Sequence, residues 1–212
     1  MNLAELRRDY AAAALDEVHS DADPIVQFGR WFDDARASGV IEPNAMTLAT
    51  ATPNGMPSAR IVLLKGFGPE GFVFFTDHRS QKGQELLANP HAALVFHWHE
   101  LERQVRITGT VTQLDRAASD AYFRTRPEGS RIGAWASHQS AVITGRAELE
   151  AAWQARAREF AAGDIPLPPH WGGFVVTPRD IEFWQGRPSR LHDRLLYTRS
   201  SEQAWDRVRL SP

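Results

Sequence analysis

The sequence predicts an α+β fold, mainly antiparallel β, built as a β-barrel with peripheral helices in a single domain spanning residues 1–212. Three observations lead there. Short runs of β-branched and aromatic residues alternate with turn signals through the middle and end of the chain. Segments of helical period lie between those runs. No internal repeat, low-complexity tract or linker divides the chain, and 42% hydrophobic content suffices for a core without metals or disulfides.

Taken in order, residues 2–15 read as a helix of Leu, Ala and charged residues. Asp23-Pro24 is a helix start, an N-cap with proline in the first turn. Ile25, Phe28, Phe32 and Ala35 then form an apolar stripe that Gly39 ends. AMTLATAT (45–52), the turn PNGM and PSARIVLLKGF (57–67) read as a β-hairpin, and GFVFFTD (71–77) as a third strand. Ser80 to Leu87 is a short helix. HAALVFHWH (91–99) and ERQVRITGTVTQL (102–114) are long strands. Helices follow over 115–127, 130–137 and 146–162, the last with Leu149, Trp153 and Phe160 on its apolar side. IPLPPHWGG (165–173) is a proline-rich loop. FVVTP, DIEFWQG, SRLHDRLLYTR and AWDRVRL return to strand.

Composition removes several function classes. The chain has no cysteine, which excludes disulfides, thiolate metal sites and cysteine nucleophiles and is compatible with a cytoplasmic setting. No apolar run approaches a membrane span, and MNLAELRRDY lacks a signal core, so no membrane association is expected. A formal net charge of −2 with dispersed arginines argues against nucleic acid. Any anion site must therefore be local. Of the 24 basic residues only Lys65 and Lys82 are lysine, which singles them out because Arg and Lys are not interchangeable at tight sites.

Four segments could carry chemistry. In RLHDR, strand alternation would put Arg190, His192 and Arg194 on one face and Leu191 on the other. Such a row calls for an anionic ligand or facing carboxylates; the competing reading is an exposed edge protected by arginines. In RIVLLK, Arg60, Val62 and Leu64 share one face and Ile61, Leu63 and Lys65 the other. A strand apolar on both faces is interior to a barrel, and its basic ends can reach a flat anionic ligand or simply snorkel. TDHRSQKGQE joins a strand end to a helix start capped by Ser80, with Arg79 and Lys82 adding charge, so it reads as a phosphate site or as ordinary capping. Tyr122 and Arg126 share a helix face, and with Ser130 they make a phosphate cradle or a capped surface helix. The GxGxxG, P-loop and GxSxG motifs are absent, and His97 and His99 lack a third ligand at metal-site spacing. These segments join cations to hydroxyls, amides or aromatics and offer no nucleophile, which suits phosphorylated, flat ligands and an organic cofactor.

In LRRDY (6–10), RIVLLK (60–65), FFT (74–76), LERQV (101–105), YFRTRPEGSRIGAWAS (122–137), Gln139-Ser140, PLPPHWGGF (166–174) and IEFWQGRPSRLHDR (181–194), the chain resembles the pyridoxine/pyridoxamine 5′-phosphate oxidase family over nearly its whole length. The resemblance implies a split β-barrel FMN-binding fold and a homodimer with FMN at the subunit interface. It implies oxidation of the phosphorylated B6 vitamers, pyridoxamine and pyridoxine 5′-phosphate, to pyridoxal 5′-phosphate with O2, giving H2O2. Matching positions imply flavin contacts by Arg60, Ile61, Val62, Leu63, Leu64 and Lys65, with Arg60 and Lys82 on the phosphate side and Phe75 and Thr76 continuing the site. Gln104, Gln139, Ser140, Trp184 and Arg194 match further FMN contacts, some from the partner chain. Lys65, Tyr122, Arg126 and Ser130 match the grip on the substrate phosphate. Arg190 and His192, the catalytic pair, lie beside the substrate ring with Leu191 between them, while Arg187 has no assigned partner. Arg7, Arg8, Asp9 and Tyr10 match a segment that covers the substrate, part of an N-terminal unit over 1–20. Gln81 stands where the family pattern has arginine, and Phe75 where it often has tyrosine. The alternatives are a related split-barrel flavin oxidase of the phenazine type and a non-catalytic flavin or pyridoxal-phosphate binding protein.

Overall fold

The computed structural model describes residues 10–201 and 204–212. The assignment of residues 2–15 to a helix is corrected for its described part. Residues 10–15 are not helical and are held by side chains of other elements, while 2–9, with Arg7, Arg8 and Asp9, lie outside the described residues.

Helix α1 spans Pro24–Ala37, and the Asp23 side chain caps it by accepting from the Ile25 N–H. Its stripe seats Phe28 against the rings of Phe67, Phe72, Phe96 and Trp98. Phe28 is fully buried, and truncating it to alanine is expected to cost about 3–5 kcal/mol. Strands β1 (Ala45–Ala51) and β2 (Pro57–Leu63) form the expected hairpin. The long second run then breaks at Leu64 and Lys65, giving a separate β3 (Gly66–Gly68) that pairs with β4 (Gly71–Asp77). Helix α2 (Gln81–Ala88) is capped by Ser80, whose hydroxyl accepts from the Gly83 N–H. Strands β5 (His91–Trp98) and β6 (Arg103–Gln113) follow, then helices α3 (Arg116–Thr125), α4 (Glu128–Ala136) and α5 (Arg146–Glu159). Strands β7 (Trp171–Gln185), β8 (Asp193–Arg199) and β9 (Trp205–Arg209) complete the order.

All strand pairs are antiparallel, in the order β2-β1-β5-β6-β7-β4-β3, with β8 and β9 added beyond the second half of β7. The sheet curls as a split barrel because β7 changes partners along its length. Its first half pairs with β4 and its second with β8, while β6 follows both. FVVTP and DIEFWQG are thus one strand, kinked where the register slips between Thr108 and Gly109. A Cβ at Gly109 would lie 2.1 Å from the Thr177 carbonyl oxygen, so the slip requires glycine there. The proline-rich loop also ends earlier than the sequence suggests, since Trp171, Gly172 and Gly173 already pair with β4.

Two further expectations are corrected. β2 is an edge strand, not an interior one, and Ile61 is 66% exposed. SRLHDRLLYTR is not a strand from its start. Pro188–Arg190 form a 3-10 turn, Ser189 and Arg190 have φ of 56° and 62°, and strand begins only at Asp193. Arg190, His192 and Arg194 therefore do not form a strand row. The aromatic core of the barrel lies under α1, and a second cluster of Phe123, Ile132, Ile165, Leu167 and Trp171 joins α3 and α4 to the sheet. Among the described residues no helix is long and apolar enough to cross a membrane, and no group of three His, Asp or Glu residues could hold a metal.

Candidate active site

A cleft of about 930 Å³ opens between the β2 edge and helices α3 and α4. β2 and the following break supply Arg60, Ile61, Val62, Leu63 and Lys65. Phe75 and Thr76 come from the end of β4, and Lys82 from the first turn of α2. Tyr122, Arg126 and Ser130 come from α3, its C-terminus and α4, and Gln139 and Ser140 from the segment after α4. Sequence and resemblance thus converge on one cavity. Leu64 is the exception on β2's side: it is 5% exposed and packs into the core, because its N–H bonds to the Asn44 carbonyl as the chain turns.

The cations in this cleft differ in how they are balanced. Beneath Arg60 lies Glu85, which sequence reasoning passed over. Its Oε2 accepts from the hydroxyls of Thr50 (2.5 Å) and Ser58 (2.6 Å) and lies 3.4 Å from an Arg60 nitrogen, while Gln81 donates to Oε1 at 2.9 Å. Arg60 also donates to Thr50 and Ser58 themselves. Burial alone would raise the Glu85 carboxyl, but the hydrogen bonds from Ser58, Thr50 and Gln81 and the charge of Arg60 hold it down to about 2. Arg60 is therefore fixed and electrically answered from below.

Lys82 is not. It is 9% exposed, and among the described residues its Nζ bonds only neutral oxygens: Gln139 Oε1 at 2.9 Å, Thr76 Oγ1 at 3.3 Å and Ser80 Oγ at 3.5 Å. Burial, and then the charge of Arg60, lowers its pKa against the weaker opposing charges of Asp77 and Glu85. Arg126 is similar. Its guanidinium lies 4.6 Å over the Trp171 ring, one buried Nη1 has no hydrogen-bond partner among the described residues, and burial lowers its pKa. Two cations that bond no carboxylate among the described residues face one cavity, an arrangement that favours anions in two places. The aromatic wall beside them is flat: Phe75 stacks on Tyr122 at 4.0 Å and on Trp171 at 5.5 Å.

The remaining predicted residues lie outside the cleft lining. Gln104, Trp184 and Arg194 are cross-strand neighbours on β6, β7 and β8 and so share one face of the sheet. Arg194 donates to Glu182 at 2.8 Å, and Arg106 bonds the other oxygen of that buried carboxylate. Tyr10 and His192 gather around Trp184, with ring centroids 5.8 and 4.6 Å from it. Arg190 and Leu191 lie on the turn that carries His192. The Arg187 N–H donates to His192 Nδ1 at 3.1 Å, which places the proton of the neutral ring on Nε2. Burial and the charge of Arg190 lower the His192 pKa below its ordinary 6.5. Arg187 is not merely solvated, since it pairs with Asp193 at 3.4 Å and donates to the Ala13 carbonyl.

Comparison with known proteins accounts for this combination. The pyridoxamine 5′-phosphate oxidase family matches residues 32–157, and the pyridoxine 5′-phosphate oxidase C-terminal dimerisation region matches 171–212. The chain belongs to the pyridoxamine 5′-phosphate oxidase family. A pyridoxine/pyridoxamine 5′-phosphate oxidase of Paraburkholderia phymatum is 59% identical over 213 residues, 99% of each chain. One from a Nostoc species is 55% identical over 210 residues, covering 99% of this chain and 98% of its own. Among solved structures, PhzG of Burkholderia lata, in complex with tetrahydrophenazine-1-carboxylic acid, superposes with a TM-score of 0.88 at 30% identity, over 94% of this chain and 98% of its own. A pyridoxamine 5′-phosphate oxidase-related, FMN-binding protein of Nostoc punctiforme shares the fold at a TM-score of 0.70 and 20% identity, over 94% of this chain and all of its own. The family's dimerisation region here includes Trp184, Arg190, Leu191, His192 and Arg194, which lie outside the cleft lining.

Proposed function

We propose that this protein uses FMN and O2 to oxidise pyridoxamine 5′-phosphate and pyridoxine 5′-phosphate to pyridoxal 5′-phosphate, with release of H2O2. The observation that carries this reading is a pair of cations in one cleft, buried Lys82 and half-buried Arg126, neither hydrogen-bonded to a carboxylate among the described residues. A reaction between two phosphorylated partners needs two such anion sites. The full-length relatives bearing this activity in their names support the same choice.

The donor set fits FMN. Lys82, with Arg60 held by Glu85, would take its phosphate, and Ile61, Val62 and Leu63 would lie along its ring system. Tyr122, Arg126 and Ser130 would grip the substrate phosphate, with Lys65 between the two ligands. FMN, when bound, would supply the two-electron acceptor for the hydride lost from the substrate, with O2 as the final oxidant. The chain's contribution is orientation and charge. His192, neutral with its proton on Nε2, offers a donor toward the substrate ring, and Arg190 offsets negative charge that develops there. Gln104, Trp184, Arg194, Tyr10 and His192 lie outside the cleft lining, so a homodimer would bring one subunit's copies to the other's cleft. The dimerisation region supports that arrangement.

The resemblance to PhzG favours a second reading, a split-barrel flavin oxidase with a phenazine-type substrate. The phosphate grip of Tyr122, Arg126 and Ser130 argues against it. Purified protein should show a flavin spectrum that bleaches on anaerobic addition of pyridoxamine 5′-phosphate and not of unphosphorylated pyridoxamine. A colourless protein that does not take up FMN, or one bleached equally by both compounds, would refute the proposal. Arg190→Ala and His192→Ala should depress turnover with FMN retained.

A further inference from the structure

The chain from Tyr10 to Leu15 has no regular structure, yet several side chains hold it. A single carboxylate oxygen, Glu102 Oε2, accepts from two consecutive backbone N–H groups, Ala11 at 2.8 Å and Ala12 at 2.9 Å. Arg187 donates to the Ala13 carbonyl at 3.1 Å, and the Leu15 N–H donates to Asp193 at 3.1 Å. Glu102 is the unusual member. It is 5% exposed and sits in left-handed backbone at φ 56° and ψ 39°, in the turn between β5 and β6. Glycine or asparagine suits that conformation better, so a buried glutamate there points to work done by its carboxylate.

That work reaches the His192 group. The Glu102 carbonyl accepts from the Gly186 N–H at 2.8 Å, which ties the turn to the end of β7. The Tyr10 ring lies directly on Gly186, where an added Cβ would come within 2.7 Å of Tyr10 Cγ and 3.0 Å of Glu102 Cβ. From this seat Tyr10 meets Trp184 at 5.8 Å and His192 at 5.7 Å, both edge to face. We propose that Glu102 is a positioning residue: its carboxylate docks the N-terminal chain so that Tyr10 is held against Trp184 and His192 at the substrate side of the active site. Gly186 supplies the clearance. The role in turnover rests on the reading of His192 given above; the docking itself does not.

The test uses the full-length, FMN-loaded protein and three variants, Glu102→Ala, Glu102→Gln and Gly186→Ala. Deuterium uptake by a peptide spanning residues 10–15, measured without substrate, reports docking. Steady-state kinetics with pyridoxamine 5′-phosphate report its consequence. Glu102→Ala should speed exchange and raise KM about tenfold or more, the scale of losing hydrogen bonds to a charged acceptor, with flavin content unchanged. Glu102→Gln should fall between, because an amide oxygen still accepts but carries no charge. Gly186→Ala should raise exchange and KM with Glu102 intact. Unchanged exchange in Glu102→Ala would overturn the docking. Faster exchange with KM unchanged would overturn the positioning role. Failure of the wild-type protein to oxidise the substrate would instead count against the proposed function, with the exchange result still judging the docking. If Glu102→Ala does not fold, Gly186→Ala and Glu102→Gln decide by the same two readouts.

Discussion

Replacing Lys82 with methionine should weaken FMN binding without destabilising the protein that binds it. The two effects have separate origins. In the flavin-free protein Lys82 is a buried ammonium whose contacts, to Gln139, Thr76 and Ser80, are all neutral. Its desolvation is only partly offset, as its lowered pKa indicates. Methionine fills similar volume and removes the charge, while Gln139 is exposed and can turn its amide to water. Flavin-free Lys82→Met should therefore melt at the wild-type temperature or above. With FMN the balance reverses. A charge-assisted bond to phosphate is worth about 1.5–3 kcal/mol, which corresponds to a roughly 10- to 150-fold rise in Kd. Riboflavin lacks the phosphate and should bind both proteins alike. Quenching of flavin fluorescence on titration with flavin-free protein measures both affinities, and a thermal melt measures stability. Equal losses for FMN and riboflavin, or a marked fall in Tm, would refute the reasoning. Proton linkage gives a second reading of the same site. The folded pKa is depressed, so flavin-free stability should rise with pH between that value and 10.5, where the unfolded chain holds the extra proton. Phosphate favours the charged form, so FMN binding in that window should take up protons, and calorimetry in buffers of different ionisation enthalpy should detect them.

Glu85 gives the opposite dependence. Its folded pKa of about 2 lies below its ordinary 4.5, so its stabilisation is complete above 4.5 and is lost as pH falls toward 2. That shift corresponds to about 3 kcal/mol, or about 2 kcal/mol once water entering the adjacent cleft is allowed for, and Glu85→Gln should flatten Tm against pH over this range. His192 should set the acid limb of kcat below pH 6.5, since protonation removes the neutral ring; Arg190→Met, which deletes one cause of the lowered pKa, should move that limb upward in the residual activity. Ser189→Gly relieves a left-handed backbone at φ 56° and should raise stability by about 1 kcal/mol, a Tm gain of about 2–4 °C by calorimetry.

What the sequence disclosed was mostly local. Asp23-Pro24 and the stripe through Phe28 start and orient α1 from adjacent residues, and Ser80 caps α2 in the same way. The errors arose where a partner distant in sequence decides. Ile61 and Leu63 read as interior because apolar surface left open along a cleft has the same pattern as apolar surface in a core. Gly172 and Gly173 read as loop because glycine disfavours strands, yet a Cβ at Gly173 would strike Phe75 at 2.7 Å and Leu114 at 2.6 Å. Glycine is there so that the aromatic wall of the cleft can lie close to β7. Glu85 and Glu102 were missed for the same reason, since their partners come from β1, β2 and the N-terminal chain.

The sharpest failure concerns Arg190 and His192. Strand alternation would have aligned them with Arg194, but two consecutive non-glycine residues, Ser189 and Arg190, take left-handed backbone; Gly186 and Pro188 signal a turn there but not that it extends through Arg190. The resemblance had assigned the two residues to the substrate without needing the strand, and the turn explains how they separate from Arg194. Arg194 stays in the sheet, paired with Glu182 and beside Trp184, while His192 swings to the Tyr10 side of the same tryptophan. Trp184 thus carries the flavin-assigned arginine as its strand neighbour and the substrate-assigned histidine against its ring. On the proposed reading, a second subunit presenting this unit to the cleft would deliver a flavin contact and a substrate contact together. Dissociating the dimer should then remove turnover more completely than it removes the phosphate affinity of Lys82 and Arg60, which belong to the cleft's own chain.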